Sequence, residues 1–380
     1  MINRAGEYKT ILSGELSYKA FKVSPLPPVP PIQINDEMVD FLTKAHNKLG
    51  KLDGIAVNLP DIDLFISAYV RKEALLSSQI EGTQATIEDI FGPEIESNTN
   101  QDIGDVINYI KALNFAIEEM KRLPICNRLL KDAHRVLMQG VRGTEKQPGE
   151  FRKSQNWIGA PGSTLKTARY IPPCLEDMME AMSDLEKFIN VNEDIDILIK
   201  TALVHYQFES IHPFLDGNGR IGRMLIVLML LISGLINYPI LYISYFLKLN
   251  RIEYYDRLSD VRRSGNYEQW INFFLNGIVQ ACDDSISTIE KIVKLRERNS
   301  ALIQAQKAKS VKTVYAYIES NPIIDIGKTA DNLGISFVTA SKAINILTEL
   351  GILEENSNKA RNRIFEYTEY LNILKTGTII

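Results

Sequence analysis

Met224 to Ile236 reads Met-Leu-Ile-Val-Leu-Met-Leu-Leu-Ile-Ser-Gly-Leu-Ile, thirteen residues without a charge, and no other stretch constrains the fold as much. A membrane-spanning helix needs about 20 such residues. The run is too short for that and predicts a helix buried inside protein, with Arg220 and Arg223 standing just before it. A chain of 380 residues exceeds one ordinary hydrophobic core and points to two or three domains. Its 45% hydrophobic and 24% charged residues exclude disorder, collagen-like repeats and a disulfide scaffold. A net charge of −4 excludes a globally basic nucleic-acid coat, though not a local basic patch. Cys126, Cys174 and Cys282 lie far apart with no CxxC spacing, which predicts buried thiols in a reducing compartment and argues against a zinc site. The first ten residues are polar and lack the apolar core of a secretion signal, so the expected location is cytoplasmic, with no membrane partner.

Helical patterns dominate the rest. Pro25 to Pro31 resists helix and predicts an extended packing arm. Helices are expected over 36–48 and 62–80, the second with Phe65, Ile66, Tyr69, Val70, Ala74 and Leu75 spaced three and four apart. Gly82 stands where a residue closing that helix is expected. Further helices are expected over 107–120, 128–138, 175–189 and 194–208, and after Arg220. The stretch 157–173 breaks the pattern, with Pro161-Gly162 between β-forming flanks, and predicts a hairpin flap. A charged helical connector over 285–309 leads to helix, turn, helix and a two-stranded wing, a pattern that resembles a winged helix-turn-helix. The expected organisation is a mainly α chain: an N-terminal helical region (1–98), a core (99–284), the connector, and a winged module (310–380).

The chemistry concentrates in His212-Pro-Phe-Leu-Asp-Gly-Asn-Gly-Arg-Ile-Gly-Arg223. Gly217-Asn218-Gly219 lets successive N–H groups face one concavity, because glycine and asparagine tolerate left-handed φ. A helix starting there adds its positive end and unbonded N–H donors. Arg220 and Arg223, three apart, share one face of the first turn. Together these make a cradle for a di- or triphosphate. Asp216 offers a hard oxygen of the kind that Mg²⁺ takes beside phosphate oxygens and water. His212 is a base able to take a proton from a hydroxyl near neutral pH. No Walker loop is present. His46 and His134 read as structural histidines, and His205 as a core residue behind the site.

This segment resembles the Fic-family signature His-x-Phe-x-Asp/Glu-Gly-Asn-Gly-Arg-x-x-Arg at every defined position, and 202–211 and 149–159 are similar to that family as well. The resemblance implies a Fic-type helical core whose members mostly transfer AMP from ATP to a Ser, Thr or Tyr hydroxyl of a protein. By it, His212 would be the general base and Asp216 the Mg²⁺ ligand. Gly217, Asn218, Gly219 and Arg220, with Ile221 and Gly222 in the same turn, would hold the α- and β-phosphates, and Arg223 the γ-phosphate. Ile158 and Gly159 would belong to a flap, 157–159 with 167–171, that aligns the target segment by strand-like pairing. Kinase-like relatives replace the cradle glycines, so Gly217 and Gly219 favour nucleotidyl over phosphoryl transfer. The base of the nucleotide is not read by this motif, which leaves UTP, GTP and CTP open.

Ser77-Ser-Gln-Ile-Glu81-Gly82 resembles the family's inhibitory pattern Ser/Thr-x-x-x-Glu-Gly/Asn. That implies a brake in which Glu81 pairs with Arg223 and takes the place of the γ-phosphate. It leaves open a second role for Glu81, removal of AMP with a positioned water. The winged module carries seven basic against eight acidic residues, a poor phosphate footprint that favours a protein contact over duplex DNA. Its local basic patch is Lys359, Arg361 and Arg363. A homodimer that covers the brake is a further partner arrangement. The competing function is a nucleotide-sensing transcriptional regulator with a weakly active core; it needs the cradle but not the base.

Overall fold

The computed structural model describes residues 3–59, 61–92, 100–140, 146–192, 194–356 and 363–378. The chain packs as two units, Met1–Asp53 with Asn108–Cys282 and Gly54–Ile107 with Asp283–Ile380.

The first unit opens with strands β1 (Gly6–Ile11) and β2 (Tyr18–Val23), paired antiparallel with Gly6 opposite Val23. Alternating Tyr8, Thr10, Phe21 and Val23 carry the strand pattern, which the polar reading of the N-terminus passed over. Helix α1 (Asp36–Val57) outruns its expected end at Lys48. Ala45, Leu49, Leu52 and Ala56 are all buried at helical spacing, and that face carries the helix through Gly50 and Gly54. In the second unit follow α2 (Ile62–Ile80) and α3 (Ile87–Phe91).

Next in the chain come α4 (Gln101–Glu119), α5 (Asn127–Leu137) and α6 (Leu175–Asn190). The centre of the first unit is α7 (Ile197–Ile211) against α8 (Asn218–Ile232), with α6 lying on α7. Every residue from Leu198 to Ile211 is buried; of the uncharged run, Met224–Leu230 form the buried body of α8, whereas Ile232 is exposed and Ser233–Ile236 lie beyond the helix. Each fully buried aliphatic side chain there contributes roughly 2 kcal/mol. Helix α7 starts three residues later than expected because Asp196 caps it, its carboxylate accepting the Leu198 N–H at 2.8 Å and meeting His46 Nε2 at 2.8 Å. Helices α9 (Ser244–Leu249) and α10 (Arg251–Ser264) follow in this unit. The expected flap has a single antiparallel bridge, Ile158 to Tyr170, rather than two full strands. It is also not alone: the Phe21 N–H of β2 donates to Ile171 O at 3.0 Å. Of the thiols only Cys282 is buried; Cys126 and Cys174 are half-exposed at the starts of α5 and α6, and none forms a disulfide.

Residues 285–304 are the second half of α11 (Tyr267–Gln304), which runs unbroken for 38 residues. After it come α12 (Lys309–Ser320), β3 (Ile323–Asp325), α13 (Ile326–Leu333), α14 (Phe337–Glu349), β4 (Glu354–Glu355), β5 (Ile364–Glu366) and α15 (Thr368–Leu374). The three strands form an antiparallel sheet in the order β3-β5-β4. Lys359 and Arg361 lie outside the described residues, and Arg363 pairs with Glu355 at 3.1 Å. Among the described residues no helix is long and apolar enough to cross a membrane.

Helix α2 is tied to later residues of its own unit. Tyr69 Oη donates to Ser285 O at 3.3 Å, and Gln79 Nε2 donates to Ala85 O at 2.9 Å and Thr378 O at 3.1 Å. Lys72, 3% exposed, meets Asp284 at 3.2 Å, and burial pulls its pKa down. Asp284→Ala leaves that ammonium buried without its carboxylate. Urea unfolding is expected to show a loss of about 3 kcal/mol, against little change for a surface pair such as Lys44 with Asp40.

Candidate active site

Two left-handed corners frame the site. His212 closes α7 at φ 49°, ψ 61°, and Gly217 opens α8 at φ 77°. Across this loop the carbonyls of His212, Pro213, Phe214 and Asp216 each have an assigned partner. The His212 carbonyl accepts from Arg152 Nε at 3.2 Å and Asn156 Nδ2 at 3.1 Å. The Pro213 carbonyl accepts the Arg152 N–H at 2.9 Å. The Phe214 carbonyl accepts from Asn156 and Asn218 Nδ2 at 2.9 and 2.8 Å, and its N–H donates to Asn218 Oδ1 at 2.8 Å. The Asp216 carbonyl lies 3.0 Å from His134 Nε2.

The cradle follows from helix geometry. The Ile221 N–H reaches Gly217 O at 3.0 Å, which closes the first turn and leaves the N–H groups of Asn218, Gly219 and Arg220 without an acceptor inside the helix. The Gly217 N–H donates to Asp216 Oδ1 at 2.6 Å, and Arg220 Nη2 is 3.7 Å from the same oxygen. Arg220 is 6% exposed and Arg223 1%. A Cβ on Gly222 would stand 2.3 Å from Glu209 Oε1 and 3.3 Å from Phe208 Cδ1, so any side chain there would force its neighbours to shift. Two residues expected to bind phosphate spend their side chains elsewhere: Asn218 on the Phe214 backbone and Ile221 in the core, so only their backbones face the cradle or the helix. Asp216 fits a cation whose remaining ligands are phosphate and water. Its carboxylate is 43% exposed, and among the described residues no cluster of three or more His, Cys, Asp or Glu forms a cage of its own.

The histidines divide as their surroundings dictate. His205 Nδ1–H donates to Gly222 O at 2.9 Å and Nε2 accepts from Tyr254 Oη at 2.8 Å; burial lowers its pKa to about 3. His134 is fully buried and stacked on Phe214 with ring centroids 3.8 Å apart. Its Nδ1 accepts the Gly149 N–H at 2.9 Å, so Nε2 carries the proton toward Asp216 O, and burial lowers its pKa to about 4. His212 is half-buried at the mouth.

The flap bridge holds by Ile158 N–H to Tyr170 O at 2.8 Å and Tyr170 N–H to Ile158 O at 3.0 Å. Tyr170 is anchored below: its hydroxyl donates to Ser210 O at 2.6 Å, and the Arg262 guanidinium lies 3.9 Å over its ring. Trp157, Gly159 and 160–162 stay exposed. Ser77, Glu81 and Gly82 belong to the second unit, where Glu81 caps α2 and is exposed, Gly82 turns at φ 100°, and Ser77 is buried. Sequence reasoning assigned no role to Arg152 or Asn156, although both lie within 149–159, singled out for its pattern, and read His134 only as a structural histidine.

Comparison with known proteins identifies the pattern. Residues 39–118 match the Fic/DOC family N-terminal region and 124–230 the Fic/DOC family domain. Protein adenylyltransferase Fic of Culex quinquefasciatus is 32% identical over 146 residues, 38% of this chain and 26% of that protein. Its counterpart in Drosophila mojavensis is 27% identical over 289 residues, 74% of this chain and 53% of that one. A probable protein adenylyltransferase of Aquifex aeolicus is 27% identical over 192 residues, 49% of this chain and 54% of its own length. The chain thus spans between about a quarter and about half of these relatives. In fold it is similar to a Fic family protein from Desulfovibrio desulfuricans, with TM-score 0.58 and 19% identity over 88% of this chain and 97% of that one. A Fic domain containing signaling protein from Bacteroides thetaiotaomicron gives TM-score 0.52 and 18% identity over 67% and 97%.

Two outcomes follow from the buried histidines and the left-handed glycine. His134 and His205 are held neutral in the folded chain and take protons once unfolded. Their contribution is complete above the ordinary histidine pKa and is lost as pH falls from about 6.5 toward about 4, at up to about 2.7 kcal/mol per pH unit for the two together. Urea unfolding at stepped pH reads this slope, and His205→Gln removes about half of it. Gly217→Ala puts a side chain at φ 77° against Met138 Sδ, 3.1 Å away. The expected loss is about 1–2 kcal/mol, together with weakened nucleotide binding by calorimetry.

Proposed function

We propose that this chain, which belongs to the Fic/DOC family, is an autoinhibited protein adenylyltransferase that moves AMP from ATP to a hydroxyl side chain of a protein, itself included. One observation carries the reading. A half-buried histidine, an exposed carboxylate, a left-handed glycine opening a helix and two buried arginines all meet within twelve residues of one braced loop. Such a constellation is what phosphoryl-ester chemistry requires: a base, an oxygen for a cation, and donors facing an anion.

In this reading the first-turn N–H groups of α8 and Arg220 bind the α- and β-phosphates, Arg223 the γ-phosphate, and His212 takes the proton of the attacking hydroxyl. Asp216 would hold Mg²⁺, which when bound supplies charge neutralisation to the phosphates. The target lies along the exposed edge of 157–171 and adds backbone hydrogen bonds there. The hydroxyl oxygen forms a bond to the α-phosphorus, the α–β bridging bond breaks, and pyrophosphate leaves. Glu81 acts as the brake through Arg223, which denies the γ-phosphate its partner. A cytoplasmic location, a winged-helix reading of β3, α13, α14, β4 and β5, and its use for protein contact belong to the same proposal.

Incubation with Mg²⁺ and ATP followed by intact mass tests it. The expected outcome is a gain of one AMP per event that rises several-fold in Glu81→Gly and falls by about a hundredfold or more when His212→Ala is added. A phosphate-sized gain would move the assignment to a kinase. Binding without any gain, with ATP, GTP, UTP or CTP, would favour a nucleotide sensor.

A further inference from the structure

We propose that His134, on the last turn of α5, is a positioning residue that sets where Asp216 presents its carboxylate to a metal–nucleotide; this rests on the cradle binding Mg²⁺-ATP as read above. His134 does not line the cradle. It stands behind it, fully buried, and spans two backbone segments at opposite edges of one flat ring. At one edge Nε2–H donates to Asp216 O at 3.0 Å; at the other Nδ1 accepts the Gly149 N–H at 2.9 Å.

That bridge has consequences for the loop. Gly149 opens the segment whose Arg152 and Asn156 hold the carbonyls of His212, Pro213 and Phe214. Asp216 lies two residues beyond the last of those carbonyls, and His134 supplies the bond that Arg152 and Asn156 do not. Its face lies nearly parallel to Phe214, at 8°, and its Cδ2 is 3.5 Å from where a Cβ on Gly217 would stand. The ring therefore fixes the Asp216–Gly217 peptide from below while the Gly217 N–H fixes Asp216 Oδ1 from the front. A neutral imidazole suits this position for a simple reason. It carries one donor and one acceptor on separate edges of a rigid plane, whereas Asn and Gln carry both at one end and Lys and Arg carry no acceptor.

A histidine that merely fills the core predicts loss of stability and nothing else. A positioning residue predicts a selective loss of the metal-dependent part of nucleotide binding, because groups that orient a metal ligand typically account for about 10- to 100-fold in affinity. The test uses the full chain carrying Glu81→Gly, with His134→Phe, His134→Gln and His134→Asn added. Phe keeps the stack on Phe214 and loses both hydrogen bonds. Gln places a donor near the Nε2 position, and Asn an acceptor near Nδ1. Two quantities are read: the rise in melting temperature on adding Mg²⁺ to ATP-saturated protein, and the Mg²⁺ concentration giving half-maximal self-modification.

In His134→Phe, ATP without Mg²⁺ is expected to stabilise the protein as in the parent, while the extra Mg²⁺-dependent rise is lost and half-saturation moves up at least about tenfold. His134→Gln recovers most of both, and His134→Asn does not. If His134→Phe fails to fold, the Gln and Asn pair decides by the same order. Parental Mg²⁺ half-saturation in His134→Phe, or equal behaviour of Gln and Asn, overturns the assignment. A parent that shows the Mg²⁺-dependent rise but transfers no AMP sinks the transferase reading alone, and the melting shifts still decide the role of His134.

Discussion

The loop from His212 to Gly217 turns through two left-handed corners, and the first falls on a residue that has a Cβ. A non-glycine residue in that conformation costs about 1–2 kcal/mol. Donors from outside the loop offset it. Arg152 and Asn156 reach the carbonyls of His212, Pro213 and Phe214, Asn218 folds back on Phe214, and His134 takes Asp216. The placement of the base, of the carboxylate and of the helix start all depend on this set of bonds. That explains why so much of the polar chemistry in this unit is spent on backbone carbonyls rather than on side-chain pairs.

The apolar helices supply the rigidity that the loop needs. Helix α7 is buried from Leu198 onward and α8 from Ile221 to Leu230, so neither end of the loop can shift without repacking a core. His205 ties α7 to α8 through Gly222 O and to α10 through Tyr254 Oη. A side chain at Gly222 would force Glu209 and Phe208 to shift, and its absence lets α7 and α8 lie close where the cradle begins. The flap rests on the same frame: Tyr170 is bonded to Ser210 O, two residues before His212, and clamped under Arg262. Its exposed edge is therefore referred to the loop from His212 to Gly217 by short buried contacts, even though its own strand pairing amounts to one bridge.

How much of this could be read beforehand depended on the kind of signal. Periodic apolar residues placed α2 to the residue, because its end coincides with the Glu81 cap and the turn at Gly82. Helix α1 was cut short at Lys48 because two glycines look like a stop, whereas the buried Leu49, Leu52 and Ala56 outweigh them. The twelve-residue loop could be read because cradle, base and carboxylate are contiguous. What holds it could not. Arg152, Asn156 and His134 come from other segments, and bonds from side chain to distant backbone leave no periodicity in a sequence. The hairpin of β1 and β2 was missed although Ser13-Gly14 sits between two alternating runs, a turn signal hidden by the polarity of the strands.

The distribution of charge adds a last step. Arg152 is 2% exposed, and the hydrogen bonds of its guanidinium go to the carbonyls of His212, Ser154 and Pro173. Burial lowers its pKa to about 10, which still leaves it a cation at neutral pH. Buried charge of one sign is unfavourable unless something compensates it. Here carbonyl dipoles answer it in part, and Arg220 and Arg223 add two more buried cations on the same loop and helix start. In the proposed reading these guanidiniums and the first-turn N–H groups of α8 are what a polyphosphate would meet.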